Sequence, residues 1–160
     1  MKSYNIMLIA MWCVILIGHY NIFGQDSEAK KTIESIGDTI NKAVLAGDYE
    51  TMLSYFADDI IVDPIFQPPI KGKKAYREEV NKMKEIGVKY QSMNGTPSDM
   101  WECGDMIYER GTFGLSLVTK ESPQPKAYYG SYFQIWQKQT DGSYKLKYMT
   151  SNLDFNPFGN

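Results

Sequence analysis

Asp63 is the residue of this chain best arranged for acid–base chemistry. It closes the β-branched run Ile60-Ile61-Val62 and precedes Pro64, after which Gln67-Pro68-Pro69-Ile70-Lys71-Gly72 forms a stiff, glycine-ended loop. A buried strand feeding such a loop would hold the carboxylate partly away from water, at the mouth of a cavity. A base that removes a proton beside a carbonyl needs that setting, together with donors for the oxygen that becomes negative. The plainer reading is that Asp before Pro simply begins a turn.

The rest of the composition limits what could assist Asp63. Met1-Lys2 leads into an apolar run, Ile6 to Ile17, and then Gly18 to Gln25, a pattern that reads as a secretory signal peptide over residues 1–24. The run is short of the roughly 20 residues that span a bilayer. Cys13 sits inside it behind Trp12, which argues against lipidation there. Cleavage after Gly24 would remove His19, the only histidine, and leave Cys103 as the only cysteine. The mature chain then has no intramolecular disulfide, no His–Ser or His–Cys nucleophile pair, and no zinc site of the usual ligands. Carboxylate, Tyr and Lys remain for acid–base work, and no metal or cofactor is expected.

The expected mature domain, residues 25–160, suits one core. Its charge is about −3, from 16 Lys+Arg (17 less Lys2) against 19 Asp+Glu. No basic face suggests a nucleic-acid partner. Ten tyrosines survive cleavage (12 less Tyr4 and Tyr20), and their apolar bodies with polar tips suit an amphipathic pocket.

The elements that must position Asp63 can be read from periodicity. Asp26-Ser27 suits an N-cap, with Ile33, Ile36, Ile40 and Val44 at helical spacing and Gly47 as the stop. Asp48 caps a short second helix carrying Met52, Leu53 and Phe56, and Ile60 to Val62 is a brief strand. Lys73 to Ile86 is a third helix. From Val88 the period becomes two: strands are expected at Val88–Met93, Ser98–Cys103, Met106–Thr119, Ala127–Gln139 and Ser143–Asp154. Turns are expected at Asn94-Gly95, Gly104-Asp105, Ser122 to Pro125 and Asp141-Gly142. Helices followed by antiparallel strands make an α+β fold.

The stretch Phe56 to Gly72, with Ala46-Gly47-Asp48, Glu109-Arg110-Gly111, Tyr132 to Trp136 and Asp141-Gly142, resembles SnoaL-like and ketosteroid-isomerase-like domains of the nuclear-transport-factor-2-like superfamily. The resemblance implies a cone-shaped curved antiparallel sheet wrapped around N-terminal helices, a cystatin-like roll, over residues 28–154. It places Asp63 at the catalytic base position and adds Glu109 and Asn152 as pocket residues. Glu109 resembles the acidic residue of SnoaL-like domains; the alternative is a cross-strand ion pair on a solvated face. The two oxyanion donors of the isomerases fall on Ile40 and near Gly130-Ser131-Tyr132, where neither the family's Tyr nor its Asp is present. Losing one such donor typically removes about 3–4 kcal/mol of transition-state stabilisation, so isomerisation in that form is not expected. Tyr55, Tyr108, Tyr128 and Tyr132 are the available replacements.

Together these readings predict a secreted or periplasmic domain that binds a small apolar molecule, with no attachment to the membrane after signal cleavage. Base catalysis by Asp63, as a lyase, isomerase or cyclase acting on an apolar carbonyl compound, is the second reading. A non-catalytic interaction module is the third. Trp101 and Trp136 read as core, Arg110 as surface, and Cys103 as a small core or turn residue. By resemblance, the chain is expected to form a homodimer through its sheet.

Overall fold

The computed structural model describes residues 28–154. The expected signal peptide and the Asp26-Ser27 cap lie outside them.

Helix α1, Glu28–Ala46, forms on the expected stripe, burying Ile33 and Val44 and packing Ile36 and Ile40 against the same core. Gly47 ends it in the left-handed region, at φ 73°, where a side chain would be strained. Its N–H and that of Asp48 reach back to the carbonyls of Val44 and Ala43. Asp48 then caps α2, Tyr49–Ser54, by accepting from the Thr51 N–H at 3.1 Å. Strand β1, Phe56–Asp63, stops at Pro64; β2 is only Ile70–Lys71, and α3 is Lys73–Glu85. The long strands β3, Lys89–Cys103, β4, Met106–Val118, β5, Lys126–Lys138, and β6, Tyr144–Leu153, complete the chain.

The six strands form one curved, unclosed sheet in the order β2-β1-β6-β5-β4-β3. All neighbours are antiparallel except β1 and β6, where Ile61, Val62 and Asp63 pair with Tyr148, Met149 and Thr150. Period-two alternation sorts the side chains onto two faces. Ile60, Val62, Met100, Ile107, Trp136 and Leu146 turn inward and form one core with Ile33, Val44 and Leu53 of the helices. Ile61, Trp101, Tyr108, Ile135 and Tyr148 are direct cross-strand neighbours in a row across the outer face.

Three expectations change. Phe56, expected on the second helix, instead opens β1. The turn at Asn94-Gly95 does not form: Asn94 to Pro97 pair with Gly114 to Gly111, so the two predicted strands are one. The dipeptide has turn chemistry, yet it lies inside one strand whose pairing is interrupted only by two bulges, at Tyr90/Ser92 and Pro97/Asp99. Pro97 is accommodated because β3 is an edge strand and one of its sides needs no donor. Trp101 is not core; it is 44% exposed on the outer face, whereas Trp136 is 1% exposed.

Candidate functional site

Strand alternation creates two polar centres, one on each face of the sheet. The inner centre is built around Glu109, only 5% exposed and the single charged residue in the described core. Its two carboxylate oxygens are both engaged. The Tyr132 hydroxyl donates to Oε1 at 2.7 Å and the Trp136 indole N–H to Oε2 at 2.8 Å. These partners follow from register: Glu109 pairs with Gln134, so residues 132 and 136 flank it on the same face. Gly111 makes room for the arrangement. A Cβ there would press into the Thr96 carbonyl and come within 2.6 Å of the Tyr132 hydroxyl.

Burial raises the Glu109 carboxyl above its ordinary value, and the nearby Glu34 carboxylate acts in the same direction, against the two hydrogen bonds that lower it. Burial and the hydrogen bond to Glu109 raise the Tyr132 phenol strongly, so it stays a donor at any physiological pH. A carboxyl of this kind retains a proton more readily than one in water and can either donate to a carbonyl or accept from a hydroxyl. The expectation of an ion pair on a solvated face does not hold.

Ile40, Met93 and Met149 turn toward the core yet stay only partly buried. A Cβ added to Gly37, one turn beyond Ile33 on α1, would meet nothing within 4 Å. Two surface hollows, of about 380 and 530 Å³, lie elsewhere and are not lined by Asp63, Glu109 or Asn152.

The outer centre is Asp63. The Tyr148 hydroxyl donates to its Oδ2 at 2.6 Å, while Oδ1 is buried without a hydrogen-bond partner. The Tyr148 phenol is raised, first by that hydrogen bond and then by burial. Tyr148, Phe133 and Tyr108 form a chain of ring contacts, 6.5 and 6.4 Å between centroids, across the outer face. Asp63 therefore shares a face with Ile61 and Tyr148, opposite to Val62 and Glu109.

The sequence-predicted residues fall as follows. Asp63 meets Tyr148; Glu109 lies across the sheet from it; Asn152 pairs with Ser131 and is exposed on the outer side. The three do not meet. Ile40 packs inward as an apolar residue, and Tyr132 alone among the four candidate tyrosines donates to an inward carboxylate. Arg110 pairs with Asp99 at 2.6 Å, as a surface residue would. Cys103 is exposed at the end of β3. Tyr148 and the indole of Trp136 were not anticipated as donors, although the pairing of Glu109 with Gln134 would have implicated Trp136 once the register was known.

The SnoaL-like domain profile matches residues 38–145, about two-thirds of the chain. The chain belongs to the SnoaL-like family. Solved structures agree with the SnoaL-like fold. A ketosteroid isomerase-like protein from Erwinia carotovora atroseptica superposes with TM-score 0.71 at 15% identity, over 81% of this chain and 99% of its own. A nuclear transport factor 2-like superfamily protein from Salmonella enterica serovar Typhimurium gives 0.69 at 11% identity, over 85% and 100%. A cystatin-like-fold protein of unknown function from Nostoc punctiforme gives 0.62 at 17%, over 80% and 93%. At these identities the likeness carries the fold alone. No curated protein sequence matches this SnoaL-like chain.

Proposed function

We propose that this SnoaL-like domain is exported and binds a small, largely apolar molecule inside the cone, with Glu109 and Tyr132 as the polar anchor. The observation that carries this reading is the enclosed Glu109 carboxylate, held by two donors on the inner face of the sheet. Burying an ionisable group is costly unless it is compensated, and structural carboxylates usually sit at the surface. Ile40, Met93 and Met149, partly buried and packed against the same core, supply an apolar body for the site. Export is supported by the N-terminal pattern, and homodimerisation by the apolar outer row that includes Trp101 and Ile61.

The deciding experiment is a fragment screen read by the Trp136 indole N–H resonance. Carbonyl- or hydroxyl-bearing apolar fragments are expected to shift it and to bind at least tenfold more weakly to Tyr132→Phe. A screen in which no fragment moves Trp136 or Gly111 ends the proposal. N-terminal sequencing of the exported product tests the first step, with an intact Met1 as the adverse result.

A second reading places base catalysis at Asp63. Its unpartnered, buried Oδ1 favours this, since that oxygen is free to accept a proton while Tyr148 fixes the other. Its position opposite Glu109 requires the substrate to approach the outer face, so only turnover lost in Asp63→Asn and kept in Glu109→Gln supports it.

A further inference from the structure

The larger hollow, about 530 Å³, is far from both carboxylates in character and lies between the C-terminal ends of α1 and α3 and the first residues of β3. Its volume is within the range of small-molecule clefts, roughly 300–1,000 Å³. Leu45, substantially exposed there, provides the apolar wall, with the buried Val44 behind it. Tyr49 and Tyr90 present rings whose hydroxyls burial holds in the protonated, donating form. Lys84 and Lys89 supply the charge.

The Lys84 Nζ lies 4.8 Å from the centre of the Tyr49 ring, which positions it, and neither it nor Lys89 forms an ion pair among the described residues. No Asp or Glu lines the hollow. The Asp48 carboxylate, which Lys84 helps to keep ionised, is directed to the Thr51 N–H and hydroxyl and makes no ion pair with Lys84. A third lysine reinforces the sign of the field: Lys120 lies over Gly87 and donates to the Glu85 carbonyl at 2.6 Å. The Glu85 carbonyl at the end of α3, which would otherwise repel an anion, is thus covered.

We propose that this hollow is a second ligand site, independent of the cone interior, for a small amphipathic carboxylate. The apolar body rests on Leu45 and the partly buried Tyr90, and the carboxylate meets Lys84 and Lys89. A cation already stacked on a ring loses little freedom on pairing, which favours an anion over a neutral molecule of the same shape.

Sodium benzoate titrated into uniformly ¹⁵N-labelled protein tests this, with benzamide as the neutral counterpart. Saturable shifts are expected at the Gly47, Gly87 and Gln91 amides, with affinity at least tenfold weaker for benzamide and for Lys84→Gln. Lys84 is exposed, so that variant should fold; Lys89→Gln is the second variant, with a smaller loss in the same direction. The proposal is overturned by absence of saturable shifts at those amides, by equal affinity for benzamide, or by unchanged affinity in Lys84→Gln. Shifts confined to Trp136 and Gly111 would move the ligand into the cone and overturn it as well.

Discussion

Glu109 and Asp63 lie on opposite faces of one sheet, and each carboxylate accepts from a tyrosine at nearly the same distance, 2.7 and 2.6 Å. The likeness ends there. Glu109 has a second donor, an enclosed position and a raised pKa; the second oxygen of Asp63 has no partner, and its tyrosine lies near the surface. A family motif fixes the chain position of a carboxylate, but the parity of its strand fixes which environment it meets. In this chain the motif marks Asp63, whereas burial marks Glu109.

The comparison is broken most directly by removing each carboxylate in turn. Glu109→Ala leaves the Trp136 N–H and the Tyr132 hydroxyl without an acceptor, at about 1–3 kcal/mol for each buried group. The expected total loss is about 2–6 kcal/mol, measured by urea unfolding. Asp63→Ala releases only the Tyr148 hydroxyl, which can turn to water, and should stay within about 1 kcal/mol. A loss at Asp63 equal to that at Glu109 would mean that the two centres do not differ as described.

A second variant sharpens the inner half of the comparison. Gly111→Ala places a methyl group against the Thr96 carbonyl and the Tyr132 ring. Overpacking of this kind typically destabilises by about 1–3 kcal/mol, and here it should also swing Tyr132 away from Glu109. Near-UV circular dichroism of the aromatic cluster should change with stability. Unchanged spectra with full stability would show that Tyr132 does not depend on the missing side chain.

How much of this was legible beforehand differs between the fold and the site. Helical spacing at Ile33, Ile36, Ile40 and Val44, the stop at Gly47 and the change of period after Gly87 survive in the structure because each is a local signal. The continuous β3 was not legible, because Asn94-Gly95 has the chemistry of a hairpin turn and only pairing with β4 overrides it. The site failed for a related reason. Bulges at Tyr90/Ser92, Pro97/Asp99 and Ile135/Trp136 alter the count of residues per strand, so inward and outward positions could not be assigned by alternation alone. Glu109 was named, but its partners depend on the register between β4 and β5. Tyr148 reaches Asp63 across 85 positions of sequence, a separation that no local pattern encodes.

The outer half of the comparison is tested with a smaller effect by Tyr148→Phe. It removes the only hydrogen bond that the described residues give the Asp63 carboxylate, typically worth about 0.5–1.5 kcal/mol net. The carboxyl resonance of Asp63 should shift while the Trp136 indole resonance stays in place. A shift at Trp136 as large as that at Asp63 would show that the faces communicate through the sheet and are not separate centres.

The smallest expected effect is the pH dependence that Glu109 contributes. Its folded pKa is raised, so the folded chain keeps this proton to higher pH than the unfolded chain does. Stability from this group is therefore undiminished below the ordinary glutamate value, falls as pH rises toward the raised native value, and is reduced by a constant amount above it. Glu109→Gln removes that fall, and its amide can still satisfy both neighbours by accepting from Trp136 and donating to the Tyr132 oxygen. Asp48, Asp58, Asp59 and Asp141, whose values are lowered, add stability with rising pH in both proteins and cancel in the difference. As pH rises above the ordinary glutamate value, wild-type stability relative to Glu109→Gln should decline. A relative gain would mean that the two hydrogen bonds favour the charged form more than burial opposes it, making Glu109 a permanent anion rather than a carboxyl able to exchange its proton.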